Sequence, residues 1–168
     1  YLDVLKEVPN LTIYDPTDDL LRLKYTEGIV YWRTDTHWNA KGAFLSYAGF
    51  SRLLGLPIPE IEFLDGPIRG GDLIKISGKN DFPVYPGDNW EVVWRKKPSW
   101  IEKEIPDQQI TSFGQPMVVT NAASLSNKRV WVVGDSFNNS LKPYFNATFA
   151  EVRYIGHWVD KLKDLPSE

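Results

Sequence analysis

Two short stretches carry residue types that could perform acyl-transfer chemistry. The first is "YWRTDTHWNAKGAF", from Tyr31 to Phe44, which holds His37, one of only two histidines, with Asp35 two positions before it. The second is "VVGDSFNNS", in which Ser136 follows an apolar run and the pair Gly134-Asp135. A serine hydroxyl is a poor nucleophile until a base takes its proton, and imidazole is the side chain best suited to that near neutral pH. A carboxylate on the other ring nitrogen would fix the tautomer and stabilise the imidazolium. Asp35 can supply it if the chain is extended there, because residues i and i+2 face the same way. A buried strand that ends in glycine and serine and then opens a helix would present Ser136 Oγ at the carboxyl end of a sheet. The free N–H groups of that helix start would face a developing oxyanion.

Each fragment also has a plainer reading. Gly-Asp-Ser is common turn chemistry, and Asp-x-His can be a loop with a local hydrogen bond. Asp35, His37 and Asp135 are ordinary metal-ligand types, but no further histidine cluster accompanies them, and we assign no metal and no cofactor. His157 in "IGHWVD", with Asp160 nearby, is a rival base that also reads as a strand-end histidine. The Ser136 N–H is the expected first oxyanion donor. Asn138 and Asn139 are further candidates, with helix capping as their competing role. Gly71 could bring another N–H from the Gly70-Gly71 turn. Trp38 could stack a sugar ring or act as a structural wedge beside the base.

The elements that must position these groups can be sketched from pattern. "LTIY" (Leu11–Tyr14) reads as a short strand, and Pro16 with Asp18 and Asp19 opens a helix through Lys24. "GIVYWR" (Gly28–Arg33) is β-branched and aromatic, which predicts another strand. Ala43, Phe44, Tyr47, Ala48, Phe50 and Leu54 recur at helical spacing, with Asn39 as N-cap and Gly55 and Pro57 as the stop. "GPIRGGDLIKISG" predicts a glycine turn into a short helix, and "DFPVYPGDNW" a loop. Strands are expected over Glu91–Arg95, Pro116–Asn121 and Ala150–Gly156. The run Val130–Val133 suits a strand buried on both faces. "NNSLKPYF" predicts a short helix limited by Pro143. Strands alternating with helices point to an α/β sandwich.

The chain has 168 residues, enough for one domain with a real core, and is 42% hydrophobic and 24% charged. A net charge of −3, with Arg95-Lys96-Lys97 as the one short basic run, gives no reason to expect nucleic acid. Aromatic residues make up 14%, including seven tryptophans, which fits either a large aromatic core or stacking on sugars. With no cysteine, a disulfide framework, a thiol nucleophile and a cysteine metal site are excluded. No apolar run reaches the ~18 residues of a membrane span. The first residue is Tyr1 rather than methionine, so we expect the natural protein to begin earlier.

Taken together, "YWRTDTHWNAKGA" and the later "VWVVGDSF" resemble the SGNH-hydrolase-like domain of polysaccharide O-acetyltransferases of the alginate X and alginate J type, and the related DHHW-type proteins. Asp35-Thr36-His37-Trp38-Asn39, Gly42-Ala43 and Gly134-Asp135-Ser136-Phe137 match the family pattern, and "GGDL" (Gly70–Leu73) resembles its Gly-Asp-Leu segment. The likeness runs from roughly Leu11 to Ile155. It implies an SGNH-like three-layer α/β sandwich with a mainly parallel sheet, formed by residues 1–168 as one domain without the family's N-terminal segments. It further implies a triad of Ser136 as nucleophile, His37 as base and Asp35 as its orienter. The implied acceptor is a polysaccharide hydroxyl of an exported glycan such as alginate. The implied donor is acetyl delivered by a membrane-bound O-acyltransferase, in a periplasmic or other extracytoplasmic setting, with an anchor conceivable in a segment outside this sequence. Two further readings share these residues: an acetyl-esterase that uses water as acceptor, and a glycan-binding or scaffold domain with an unused triad.

Overall fold

The computed structural model describes residues 5–26, 28–79, 83–104 and 117–156; His157 and Asp160 lie outside them. Helix α1 (Thr17–Leu23) follows Pro16 as expected. Asp15 accepts from both the N–H and the hydroxyl of Thr17, a local bond that steers the chain into the helix. Helix α2 (Ala40–Leu53) begins at Asn39, whose side-chain oxygen accepts from the Gly42 N–H at 3.0 Å. Its apolar stripe buries Ala43, Tyr47 and Ala48. No helix among the described residues is long and apolar enough to cross a membrane.

Strands β1 (Ile61–Asp65) and β2 (Trp90–Trp94) pair antiparallel, Phe63 opposite Val92. Between them lies helix α3 (Asp72–Ser77), which follows the expected glycine turn and ends at Gly78 with φ 65°. A second sheet holds β3 (Ile101–Glu104), β4 (Met117–Thr120), β5 (Ser126–Gly134) and β6 (Phe149–Gly156) in the order β3-β4-β6-β5. Helix α4 (Asn138–Thr148) connects β5 to β6.

Val119, Phe149, Val152 and Tyr154 form one buried cluster, and Ala43, Tyr47 and Tyr144 form another. Phe145 packs against both, so α4 adheres to the four-stranded sheet on one side and to α2 on the other. The Tyr144 hydroxyl donates to the Ala40 carbonyl at 2.8 Å, and the Tyr47 and Thr148 hydroxyls share a hydrogen bond. The first bond fixes the start of α2 against α4 and the second its middle, and the candidate residues lie just ahead of these two helices.

Several expectations are corrected. In the four-stranded sheet only β5 and β6 run parallel, while β3–β4 and β4–β6 are antiparallel. The β5–α4–β6 unit has the helical crossover that parallel neighbours require. Residues 11–14 and 28–33 form no strand; only an isolated bridge, Tyr31 to Trp38, appears. The carbonyls there are taken by other groups. Ile29 accepts from the Asn39 amide and the Trp90 indole, and Val30 accepts from the Asn39 N–H. Strand β5 is not buried on both faces: among the described residues it pairs only with β6, and Trp131 and Val133 are 41% and 37% exposed. Pro143 does not cut α4 short, since the helix runs on to Thr148. Burial of Tyr144, Ala147 and Thr148 offsets the one backbone bond that Pro143 cannot make.

Candidate active site

The segment before α2 is a tight turn, not the extended chain that would set Asp35 and His37 on one face. Asp35 Oδ1 accepts from the His37 backbone N–H at 3.0 Å and lies 2.6 Å from His37 Nδ1. The carboxylate therefore reaches its neighbour's ring by curling over the intervening Thr36. A carboxylate only accepts, so Nδ1 carries the proton and Nε2 is left free to accept. On that side His37 Nε2 sits 2.7 Å from Ser136 Oγ. The structure thus brings Asp35, His37 and Ser136 into one chain of contacts, with the two side chains of the first pair 7% and 24% exposed.

Both halves are held from behind. Asn39 is fully buried and, besides capping α2, donates to the carbonyls of Ile29 and Asp88 at 2.8 and 2.9 Å. Asp88, 2% exposed, accepts from the Arg33 N–H at 2.9 Å and so anchors the other end of the turn. A Cβ at Gly42 would stand 2.1 Å from the Val30 carbonyl oxygen, so only glycine lets α2 approach this close. Trp38 donates from Nε1 to the Phe137 carbonyl at 3.0 Å, and the Phe137 ring lies 4.8 Å from the imidazole.

Ser136 lies two residues beyond the end of β5 at Gly134. Asp135 turns the chain, accepting from the Phe137 N–H on its side chain and from the Asn138 N–H on its carbonyl. Asp135 is therefore part of the turn and not of the imidazole's surroundings. Asn138 folds its amide over Gly134, where a Cβ would stand 2.0 Å from Nδ2. The Asn139 N–H donates to the Ser136 carbonyl, and its side chain is exposed. The Gly71 N–H donates to Thr34 Oγ1 at 3.1 Å, so it is committed within the protein rather than to an incoming ligand. Trp38 likewise has its indole N–H engaged.

Sequence reasoning missed the contribution of α3. Leu73 N–H donates to the Thr34 carbonyl at 3.1 Å, and Asp72 contacts both Asp35 and Thr36. Asp35, His37 and Asp72 bring ligand-type atoms within 4.8 Å of one another. Hydrogen bonds inside the turn account for that spacing. The signal for α3 was the "GGD" turn itself, since glycine is what permits this contact.

The fold is shared with known structures. A DHHW family protein from Eubacterium siraeum is similar at a TM-score of 0.68 and 15% identity, over 92% of this chain and 59% of that one. Bacillus cereus PatB1 is similar at a TM-score of 0.60 and 15% identity, over 90% and 63%. Its form with a sulfonyl adduct gives 0.65 and 16%, over 90% and 61%. The O-acetyltransferase domain of Pseudomonas putida AlgJ reaches only 0.40 at 14% identity, too low to carry a structural argument. This chain thus spans about three fifths of the DHHW and PatB1 chains it matches. No protein-family model and no curated protein matches the sequence.

Proposed function

We propose that this chain is the SGNH-like, three-layer catalytic domain of a polysaccharide O-acetyltransferase, working through an acetyl-serine on Ser136. The observation that carries the reading is the 2.7 Å contact between His37 Nε2 and Ser136 Oγ, with Asp35 on the far side of the ring. The choice of acetyl and glycan rests on the motif resemblance and is in keeping with the shared fold.

In the first half-reaction His37 Nε2 takes the Ser136 proton as Oγ bonds to the acetyl carbonyl carbon. The imidazolium then returns that proton to the leaving group as its bond to the acetyl breaks. In the second half a sugar hydroxyl gives its proton to His37 and attacks the acetyl-serine, and Ser136 leaves, regaining a proton. Asp35 stabilises the imidazolium in both halves. The Ser136 N–H is our oxyanion donor. The setting is extracytoplasmic, and a membrane-bound O-acyltransferase supplies the acetyl group.

Intact mass after incubation with 4-nitrophenyl acetate tests the nucleophile. The chain should gain one acetyl group, and Ser136→Ala should gain none; acetylation of the variant would discard Ser136. Adding glycan then tests the acceptor. Acetate release that no glycan diminishes would make water the acceptor and the protein an esterase.

A further inference from the structure

We propose that Asp72 is a positioning residue for the His37 base: a second carboxylate, delivered by α3, that locks the Asp35-Thr36-His37 turn and faces the imidazolium as it forms. The proposal rests on the reading of Ser136 and His37 as nucleophile and base.

Three consecutive residues at the start of α3, Gly71, Asp72 and Leu73, bond to three consecutive residues of the turn, Leu73 through its N–H to the Thr34 carbonyl. Gly71 N–H donates to Thr34 Oγ1 at 3.1 Å. Asp72 N–H donates to Asp35 Oδ2 at 3.1 Å. Asp72 Oδ1 accepts from the Thr36 N–H at 2.9 Å, and Oδ2 from the Thr36 hydroxyl at 2.6 Å. The result is reciprocal. Asp72 occupies the Asp35 oxygen that the imidazole does not use, and its own carboxylate holds the one residue between Asp35 and His37. Gly71 makes this possible, because a Cβ there would stand 2.3 Å from the Thr34 carbonyl oxygen and 2.4 Å from Asp35 Cβ.

Asp72 also acts at a distance. Its Oδ2 lies 3.8 Å from His37 Nδ1, while Thr36 Oγ1, which donates to Asp72, lies 3.3 Å from the same nitrogen. Among the described residues, the charged groups facing the ring are Asp35 from its own turn and Asp72 from α3. Just ahead of α4 it meets the Ser136 hydroxyl and the Phe137 ring. When His37 takes the serine proton, two negative charges flank its Nδ1 side. The Asp72 side chain is 33% exposed, so water and salt screen its share.

The test uses NMR titration of the two histidine side chains, assigned with His37→Gln, in parallel with ester kinetics. In Asp72→Asn the His37 midpoint should fall at low salt, because a charge that favours the imidazolium is gone. High salt should shrink the difference. Turnover of 4-nitrophenyl acetate should drop about three- to tenfold in kcat with KM little changed, and the acid limb of kcat should move to lower pH. Asp72→Glu, which keeps the charge, should titrate closer to the parent. Should Asp72→Asn not fold, Asp72→Ser removes the same charge while keeping an oxygen that can accept from the Thr36 N–H, and it should shift both readouts in the same direction. A folded variant with an unmoved midpoint and acid limb overturns the proposal. If Ser136→Ala keeps full turnover, the nucleophile reading fails, yet the NMR midpoint still decides the role of Asp72.

Discussion

The indole N–H of Trp38 donates to the carbonyl of Phe137 at 3.0 Å, joining residues that flank His37 and Ser136 respectively. The two motifs are 99 positions apart in sequence, and this bond ties them beside the 2.7 Å contact of base and hydroxyl. The Trp38 and Phe137 rings also meet edge to face, with centroids 5.4 Å apart. The tryptophan therefore acts as a clamp between the two strings.

Trp38→Phe should keep the ring and lose the clamp. Loss of one neutral hydrogen bond should cost about 1 kcal/mol in urea unfolding. Small displacement of the base should lower ester turnover by about tenfold, a larger effect than the stability loss alone would give. Turnover equal to wild type would show that the contact does not position the base.

Asn39→Ala removes three bonds at once. The Gly42 N–H loses its cap and the Asp88 carbonyl loses its side-chain donor, whereas the Ile29 carbonyl keeps the Trp90 indole. Unfolding free energy should fall by roughly 2–4 kcal/mol. Asn39→Asp separates the contributions, because it restores a cap but donates nothing to Asp88. It should be no more stable than the alanine variant, and recovery to wild type would reduce Asn39 to a cap alone.

How much of this could be read in the sequence depends on how local each cause is. Helix α2 was legible because its start, stripe and stop all lie within 39–57, each with its own chemistry. The turn at Ser136 was legible for the same reason. Strand β3 was not, because "IEKE" is exposed at every position and shows no alternation to detect. Residues 28–33 have the composition of a strand, yet the Asn39 and Trp90 side chains occupy carbonyls that a ladder would use. Asp72 and Asp88 bond across 36 and 55 positions, and no periodicity announces such partners.

Gly71→Ala tests the close approach of α3 to the turn. The added carbon would meet the Thr34 carbonyl oxygen at 2.3 Å, and backbone on one side or the other must move. We expect a loss of about 1–3 kcal/mol from overpacking, measured by urea unfolding. Ester turnover should fall at least about tenfold, since the displaced part carries Asp35. Unchanged kinetics would mean that the turn holds its shape without α3.

Stability should also depend on pH through Asp72. The Thr36 hydroxyl, followed by the Thr36 N–H and the charge of His37, holds the Asp72 carboxyl below the ordinary aspartate range. A carboxyl depressed in the folded state is protonated sooner in the unfolded chain, so the unfolded form binds more protons as acid is added. Its stabilisation is complete above about pH 4, the unfolded value, and drains away as pH falls through the folded value. Asp72→Asn cannot lose what it lacks. Urea midpoints compared at about pH 6 and about pH 3 should therefore separate less in the variant than in wild type. Part of the acid slope should survive, because Thr17 lowers Asp15 in the same way. Identical slopes in both proteins would show that the Thr36 bonds do not favour the charged form of Asp72.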